Sequence, residues 1–227
     1  MGRCLNHPRG LLMVPVPGGG LKGRMEIFAG SRPQDGRTSN EDAYLIGRGE
    51  ISYAALCDGS GAAGQVAKRA LKVFEGLVAE ASKDALERFG TWRDWTHLLD
   101  SALLGGAQST FLAIAALGGR IMGVCAGDSR LYYLPAEGEV QILTEESSKF
   151  RLGSGKVIPS PIHQRVNPGD VLLLMSDGAW TPLGLPVLQR LRGKAATRHF
   201  SEFPGILLDE AGKSGRADDM TVVAMRV

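Results

Sequence analysis

Two strongly apolar stretches of this chain stop abruptly at an Asp-Gly pair. Residues 51–57 end at Asp58-Gly59, and residues 171–175 are followed by Ser176-Asp177-Gly178. A short apolar run bounded by turn residues reads as a strand buried on both faces of a layered protein. A carboxylate at the tip of such a strand is costly unless it is paired or coordinated. Two more acidic motifs stand beside strand-like segments: Asn40-Glu41-Asp42 ahead of 43–46, and Ala217-Asp218-Asp219 ahead of 221–227. Acids on strand tips can converge at one end of a sheet protein even though the chain separates them widely. Two unit charges about 4 Å apart repel by roughly 4 kcal/mol at an effective dielectric near 20. Converged aspartates therefore require a cation, and all-oxygen ligands select Mg²⁺ or Mn²⁺ over zinc or copper.

The remaining pattern is rich in strands. Segments 25–29, 43–46, 51–57, 111–117, 121–125, 131–134, 139–143, 171–175 and 221–227 read as strands. Apolar residues in 64–82 recur at helical spacing (Val66, Ala67, Ala70, Leu71, Phe74, Leu77, Val78), and 91–104, 185–191 and 203–211 read as further helices. Helices fall in pairs between groups of strands, unlike the strict alternation of a doubly wound sheet. The expected fold is α+β, with two sheets face to face and helices outside. Residues 1–23 hold three prolines and six glycines without periodicity. They read as a loosely ordered extension before a single domain over 24–227.

Composition narrows the function. The chain of 227 residues is 44% hydrophobic and 22% charged, with a formal charge of +2. That charge is too small to argue for nucleic acid or a membrane surface as partner. Cys4, Cys57 and Cys125 are odd in number and far apart, which argues against a disulfide framework or zinc ribbon and for a reducing, cytoplasmic setting. The apolar stretch 102–127 is interrupted by glycines, Gln108 and Arg120, so it does not read as a membrane span.

Other motifs compete. Gly59-Ser60-Gly61-Ala62-Ala63-Gly64 fits G-x-G-x-x-G after a strand, with Glu80 downstream, which is a dinucleotide fingerprint in outline. The second parallel strand it requires is missing after Glu80, and Asp58 would face a pyrophosphate without a counter-charge. Gly153-Ser154-Gly155-Lys156 lacks the first glycine and the Ser/Thr of a phosphate-binding loop, having Phe150 and Val157 there. His7, His97, His163 and His199 show no ligand spacing.

Six segments in register carry a resemblance: R-T-S-N-E-D-A at 37–43, L-C-D-G-S-G-A-A-G at 56–64, S-T-F-L-A-I at 109–114, G-D-S-R at 127–130, P-G-D-V-L-L-L-M-S-D-G at 168–178 and A-D-D-M-T-V-V at 217–223. Together they resemble the metal-dependent protein phosphatases of type 2C, over nearly the whole chain from about Met25. The resemblance implies a β-sandwich flanked by helix pairs, in α-β-β-α layers. It implies two Mn²⁺ or Mg²⁺ ions, with Asp58 bridging them, the Gly59 carbonyl on one, and Glu41, Asp42, Asp177 and Asp218 completing the shell. Asp219 stands where asparagine is usual and is read as supporting the shell from behind. Arg37 matches the arginine that holds the substrate phosphate, and Asp128 with Arg130 is read as a structural pair. The implied substrates are phosphoserine and phosphothreonine proteins, among them a cognate kinase or its substrates.

The chain also departs from that pattern. Gly105, among neighbouring glycines, and Thr181 occupy the places of third-metal aspartates, so a third ion is not expected. Ser60 replaces a histidine or methionine. A short link over 143–168 stands where bacterial relatives insert a mobile flap, which implies a more open cleft. Two readings follow: a phosphatase, or a weakened relative that binds metal and a phosphoprotein with little turnover. The five retained acids and Arg37 favour the enzyme.

Overall fold

Strands that are apolar on both faces need a layer on each side, and each central strand here has two. The structure, a computed structural model, describes residues 25–60, 64–145, 147, 149–215 and 217–227. The expected extension over 1–23 lies outside them. In chain order the elements are β1 (Glu26–Arg32), β2 (Asp42–Gly47), β3 (Ser52–Ser60), α1 (Gln65–Glu80), α2 (Lys83–Leu86) and α3 (Phe89–Ala102). Then come β4 (Gln108–Ser109), β5 (Phe111–Ala116), β6 (Arg120–Ala126), β7 (Arg130–Leu134), β8 (Gln141–Ile142), β9 (Ser160–Arg165) and β10 (Val171–Met175). The chain closes with α4 (Asp177–Ala195), α5 (Phe203–Ala211) and β11 (Met220–Arg226).

One sheet runs β1-β11-β10-β7-β8 and the other β2-β3-β5-β6-β9, with β4 added against the end of β3. Every pairing is antiparallel. Side chains alternate between faces along a strand, and here the alternation sorts residues into separate cores. Leu56, Leu112 and Ile114 meet Ile27, Leu172, Leu174 and Val223 between the sheets. Their neighbours Ala55, Cys57 and Phe111 face outward against Val66, Leu71 and Phe74 of α1 and Trp92 and Leu99 of α3. On the other side Leu173, Met175 and Val222 pack on Leu183 and Leu188 of α4 and Phe203 and Leu207 of α5. The layering is the expected α-β-β-α.

Several elements differ from their sequence reading, α2 and β4 being unread short ones. β9 carries Pro161 and buries only Ile162, with Ser160 and Gln164 half-buried; as an edge strand against β6 it lacks the apolar run that marks a central one. α4 begins at Asp177, well before 185, because Pro182, Pro186 and the break at Gly184 (φ 60°, ψ 171°) mask its first half. β8 is shorter than the expected 139–143. β3 continues through Asp58 to Ser60, since Gly59 and Ser60 pair with Ser109 and Gln108.

Phe74 is fully buried where α1 meets the second sheet, with the rings of Tyr53, Trp92, Trp95 and Phe111 around it at 5.2–6.2 Å between centroids. Phe74→Ala removes this shared contact and lowers the unfolding free energy by about 3–5 kcal/mol, measured by urea denaturation.

Candidate functional site

Asp42 and Asp58 are direct cross-strand partners at the tips of β2 and β3. Ser176, at the end of β10 in the other sheet, donates its hydroxyl to Asp42 Oδ2 at 2.7 Å. The same Ser176 oxygen accepts the Thr221 N–H at 2.9 Å. The site is thus built at one end of the sandwich, where the tips of β2 and β3 in one sheet approach those of β10 and β11 in the other, with Asp177 opening α4 and Asp218 just ahead of β11.

The backbone of Asp58 is fully engaged. Its N–H donates to Thr110 Oγ1 at 2.8 Å, and its carbonyl accepts from the Thr110 N–H at 2.9 Å and the Ser109 hydroxyl at 3.1 Å. Thr110 Oγ1 in turn lies 2.8 Å from Ser129 Oγ. The Ser109-Thr110 and G-D-S-R motifs therefore act by fixing where the Asp58 carboxylate stands.

Electrostatics shows how crowded the acids are. Burial, and then the charge of Asp58, push the Asp42 carboxyl well above the usual carboxylate range, against hydrogen bonds from Ser176 and Thr221. Burial and then Asp177 raise Asp58 to about 8, Asp128 and Asp218 adding to the rise and Arg151 opposing it. Asp177 is raised by burial, then by Asp218 and Asp128, while the Gly178 N–H and Arg151 lower it. The cluster holds more negative charge than Arg151 offsets.

Asp42, Asp58, Asp177 and Asp218 are thus electrostatic neighbours. Glu41 sits at the rim: its carbonyl accepts the Gly59 N–H at 3.3 Å, and its carboxylate lies 3.6 Å from the guanidinium of Arg37. The Arg37 side chain is half exposed, at the mouth of the cluster. Asp219 is almost wholly buried, and its two oxygens accept the N–H groups of Gln34 and Glu41 at 2.6 and 2.5 Å. It clamps the loop that carries Arg37 to the start of β11. Gly105 lies in the turn after α3 and Thr181 is exposed on α4; neither brings a carboxylate.

Donor chemistry fits a hard divalent cation: oxygens only, in mutual repulsion, from buried Asp42 and Asp58 through half-buried Asp177 to exposed Asp218. No set of three or more His, Cys, Asp or Glu side chains among the described residues is already arranged to hold an ion. The acids would have to turn inward to close around one.

The expected Asp128–Arg130 pair does not form. Asp128 is held by Arg151, whose Nη2 lies 2.9 and 3.1 Å from the two carboxylate oxygens. Arg130 instead lies over the Trp180 ring, 3.6 Å from its centroid, and Trp180 Nε1 donates to the Asp128 carbonyl at 3.0 Å. Register explains this: Arg130 opens β7 opposite Met175 of β10, on the face that α4 covers. Arg151 was not singled out because it lies in the link over 143–168, without a motif of its own.

The rival sites lose their geometry. Residues 61–63 of the glycine-rich stretch lie outside the described residues, but α1 is followed by α2 and α3, and the pairings are antiparallel throughout. A dinucleotide-binding crossover needs a parallel strand. At 153–155 the amides that could cradle a phosphate are taken, since Gly153 and Gly155 N–H both donate to Asp100 Oδ1 at 2.7 and 3.1 Å.

No family model matches the chain, and no curated protein matches it in sequence. Solved structures do match. An S. agalactiae serine/threonine phosphatase superposes with TM-score 0.76 at 19% identity, covering 89% of this chain and 99% of that one. The catalytic domain of the serine/threonine protein phosphatase PstP, in complex with two manganese ions, gives 0.74 at 23% identity, with 89% and 97% covered. RsbX in complex with magnesium gives 0.72 at 14% identity, with 91% and 97% covered. The chain has the fold of these three structures. Among the described residues no helix is long and apolar enough to cross a membrane.

A raised carboxyl pKa in the folded state means that folding takes up protons between the unfolded value of 3.8 and about 8 for Asp58. Stability of the chelated protein therefore falls as pH rises through that window. Melting temperatures in EDTA decline between about pH 5 and pH 8, and Asp58→Asn flattens the decline.

Proposed function

We propose that this chain is a metal-dependent phosphatase that removes phosphate from serine and threonine side chains of partner proteins. The observation that carries the reading is the gathering of Asp42, Asp58, Asp177 and Asp218 where the two sheets meet, on a fold whose neighbours are serine/threonine phosphatases. The catalytic unit is assigned to residues 24–227.

Glu41, Asp42, Asp58, the Gly59 carbonyl, Asp177 and Asp218 would hold Mn²⁺ or Mg²⁺, two ions in our reading, with no third site at Gly105 and Thr181. When bound, such ions lower the pKa of a coordinated water so that hydroxide is available to attack phosphorus at neutral pH. The chain's own residues do the rest. Asp58 and Asp177 supply anionic oxygens whose position is fixed by backbone hydrogen bonds and by the start of α4. Arg37 offers a planar, permanently charged fork to two phosphoryl oxygens at the mouth. Asp219 sets the height of that fork by holding the 34–41 loop. The Ser60 hydroxyl donates to the Gln108 carbonyl, so the leaving alkoxide takes its proton from solvent.

A second reading, a metal-binding domain that captures a phosphoprotein without turnover, is favoured by the absence of a ready-made cage among the described residues and by the non-acidic residues at 105 and 181. Hydrolysis separates the two. With Mn²⁺ the chain cleaves an aryl phosphate and a phosphothreonine peptide, EDTA stops both, and Asp58→Asn reduces both to background. Arg37→Ala lowers kcat/KM by about 10²–10³ at saturating Mn²⁺. Intact Mn²⁺ binding without turnover in the unaltered chain would establish the binder instead.

A further inference from the structure

We propose that Arg151 is a built-in counter-cation of the carboxylate cluster, and that it sets the affinity of the site for a divalent ion by competing for Asp58. This rests on the metal-site reading above and adds a residue to it.

Geometry places the guanidinium between two acids and commits it to one. Nη2 holds both oxygens of Asp128, at 2.9 and 3.1 Å. Nη1 lies 3.8 Å from Asp58 Oδ1, within ion-pair range and too far for a hydrogen bond. Only about a fifth of the Arg151 side chain and an eighth of that of Asp58 are exposed (21% and 13%), so solvent screens the pair weakly. The charge on Arg151 persists at every pH at which the protein folds.

Backbone contacts independent of the acids deliver Arg151 to this place. The next residue, Leu152, is fully buried and exchanges two hydrogen bonds with Ser109 at 2.8 and 3.2 Å. Ser109 is the residue whose hydroxyl donates to the Asp58 carbonyl. Further along, Asp100 at the end of α3 accepts both Gly153 and Gly155 N–H groups. A Cβ on Gly153 would stand 3.1 Å from the Leu103 carbonyl oxygen, and φ there is +86°, so the bend requires glycine. Arg151 therefore leaves a segment, 152–155, that is fixed immediately after it. It is no surface side chain that happens to reach an acid.

The physical consequence has a definite sign. A fixed positive charge beside Asp58 relieves carboxylate repulsion when the chain folds without metal. It also repels any cation that approaches Asp58. Removing it should weaken the metal-free fold and strengthen metal binding, whereas the loss of a merely structural contact would leave metal binding unchanged or weaken it.

Calorimetric titration with Mn²⁺, together with melting in EDTA, tests this on the full chain. Arg151→Gln binds Mn²⁺ about tenfold more tightly than the unaltered chain and melts earlier in EDTA. Arg151→Lys, which keeps the charge, stays within about threefold of the unaltered chain. Should Arg151→Gln prove insoluble, Arg151→Met, which keeps the apolar stem, carries the same expectation. Unchanged or weaker Mn²⁺ binding in the uncharged variant overturns the role of Arg151 alone. A folded, unaltered chain that binds no Mn²⁺ overturns the metal reading, and this role with it.

Discussion

Repulsion between buried carboxylates governs the architecture of this protein. Asp42 and Asp58 face each other across β2 and β3, with Asp177 and Asp218 brought in from the other sheet. Left to themselves such groups separate or take up protons. Instead, the fold fixes them with hydrogen bonds to their backbones and to their carboxylates. Asp58 is held by Thr110 and Ser109, Asp42 by Ser176 and by its own N–H to Asn40, and the start of β11 by Asp219. The neutral bonds among these contribute about 0.5–1.5 kcal/mol each, and those to the carboxylates of Asp42 and Asp219 about 1.5–3 kcal/mol. Several together offset the repulsion that convergence creates.

Close approach of the strand tips depends on glycine at two places. A Cβ on Gly178 would lie 2.2 Å from the Asp219 carbonyl oxygen, and one on Gly59 would lie 2.8 Å from that of Glu41. These are the glycines of the two Asp-Gly pairs, whose sequence reading was a turn after a buried strand. The structure assigns them another reason. β3 runs on through Gly59, and α4 starts at Asp177. The glycines are there so that the 34–41 loop and the 217–219 segment can lie directly against the acids. A turn signal and a clearance requirement select the same residue, which is why the pattern was legible although its cause was not.

The central strands were readable because burial on both faces leaves an uninterrupted apolar run, as in Val171–Met175, all of it buried. Edge elements were not. β9 needs only one buried residue, Ile162, to hold its place, and prolines and Gly184 disguise the front of α4. At the site the acids were legible as residue types at strand tips, and Arg37 through the resemblance. The partner of Asp128 was misread because sequence proximity favoured Arg130. Opposite charges on neighbouring residues suggest a pair, but strand register decides which face each side chain takes. Arg130 is turned onto Trp180, which leaves Asp128 to an arginine distant in sequence. No local pattern encodes a partner delivered by a separate loop.

Low identity to the solved neighbours, 14% to 23% for the three compared, alongside a shared fold agrees with this division. Core positions accept any apolar residue that fills the layer, so most of the sequence is free to drift. The hydroxyls of Ser109, Thr110, Ser129 and Ser176 are not free in that way. Each is fully buried and hydrogen-bonded to an acid's backbone, to an acid, or to another of the four. Replacing any of them by an apolar residue would strand a buried partner, at a cost of about 1–3 kcal/mol, and would release an acid that its neighbours repel. The motifs seen in the sequence are thus the visible part of one hydrogen-bonded frame. Asp219 extends that frame to the loop bearing Arg37, and Ser109 extends it to the arm bearing Arg151. The two arginines flanking the cluster are therefore tied mechanically to the same strands as the acids, and a shift of either strand tip would move the cationic and anionic sides of the site together.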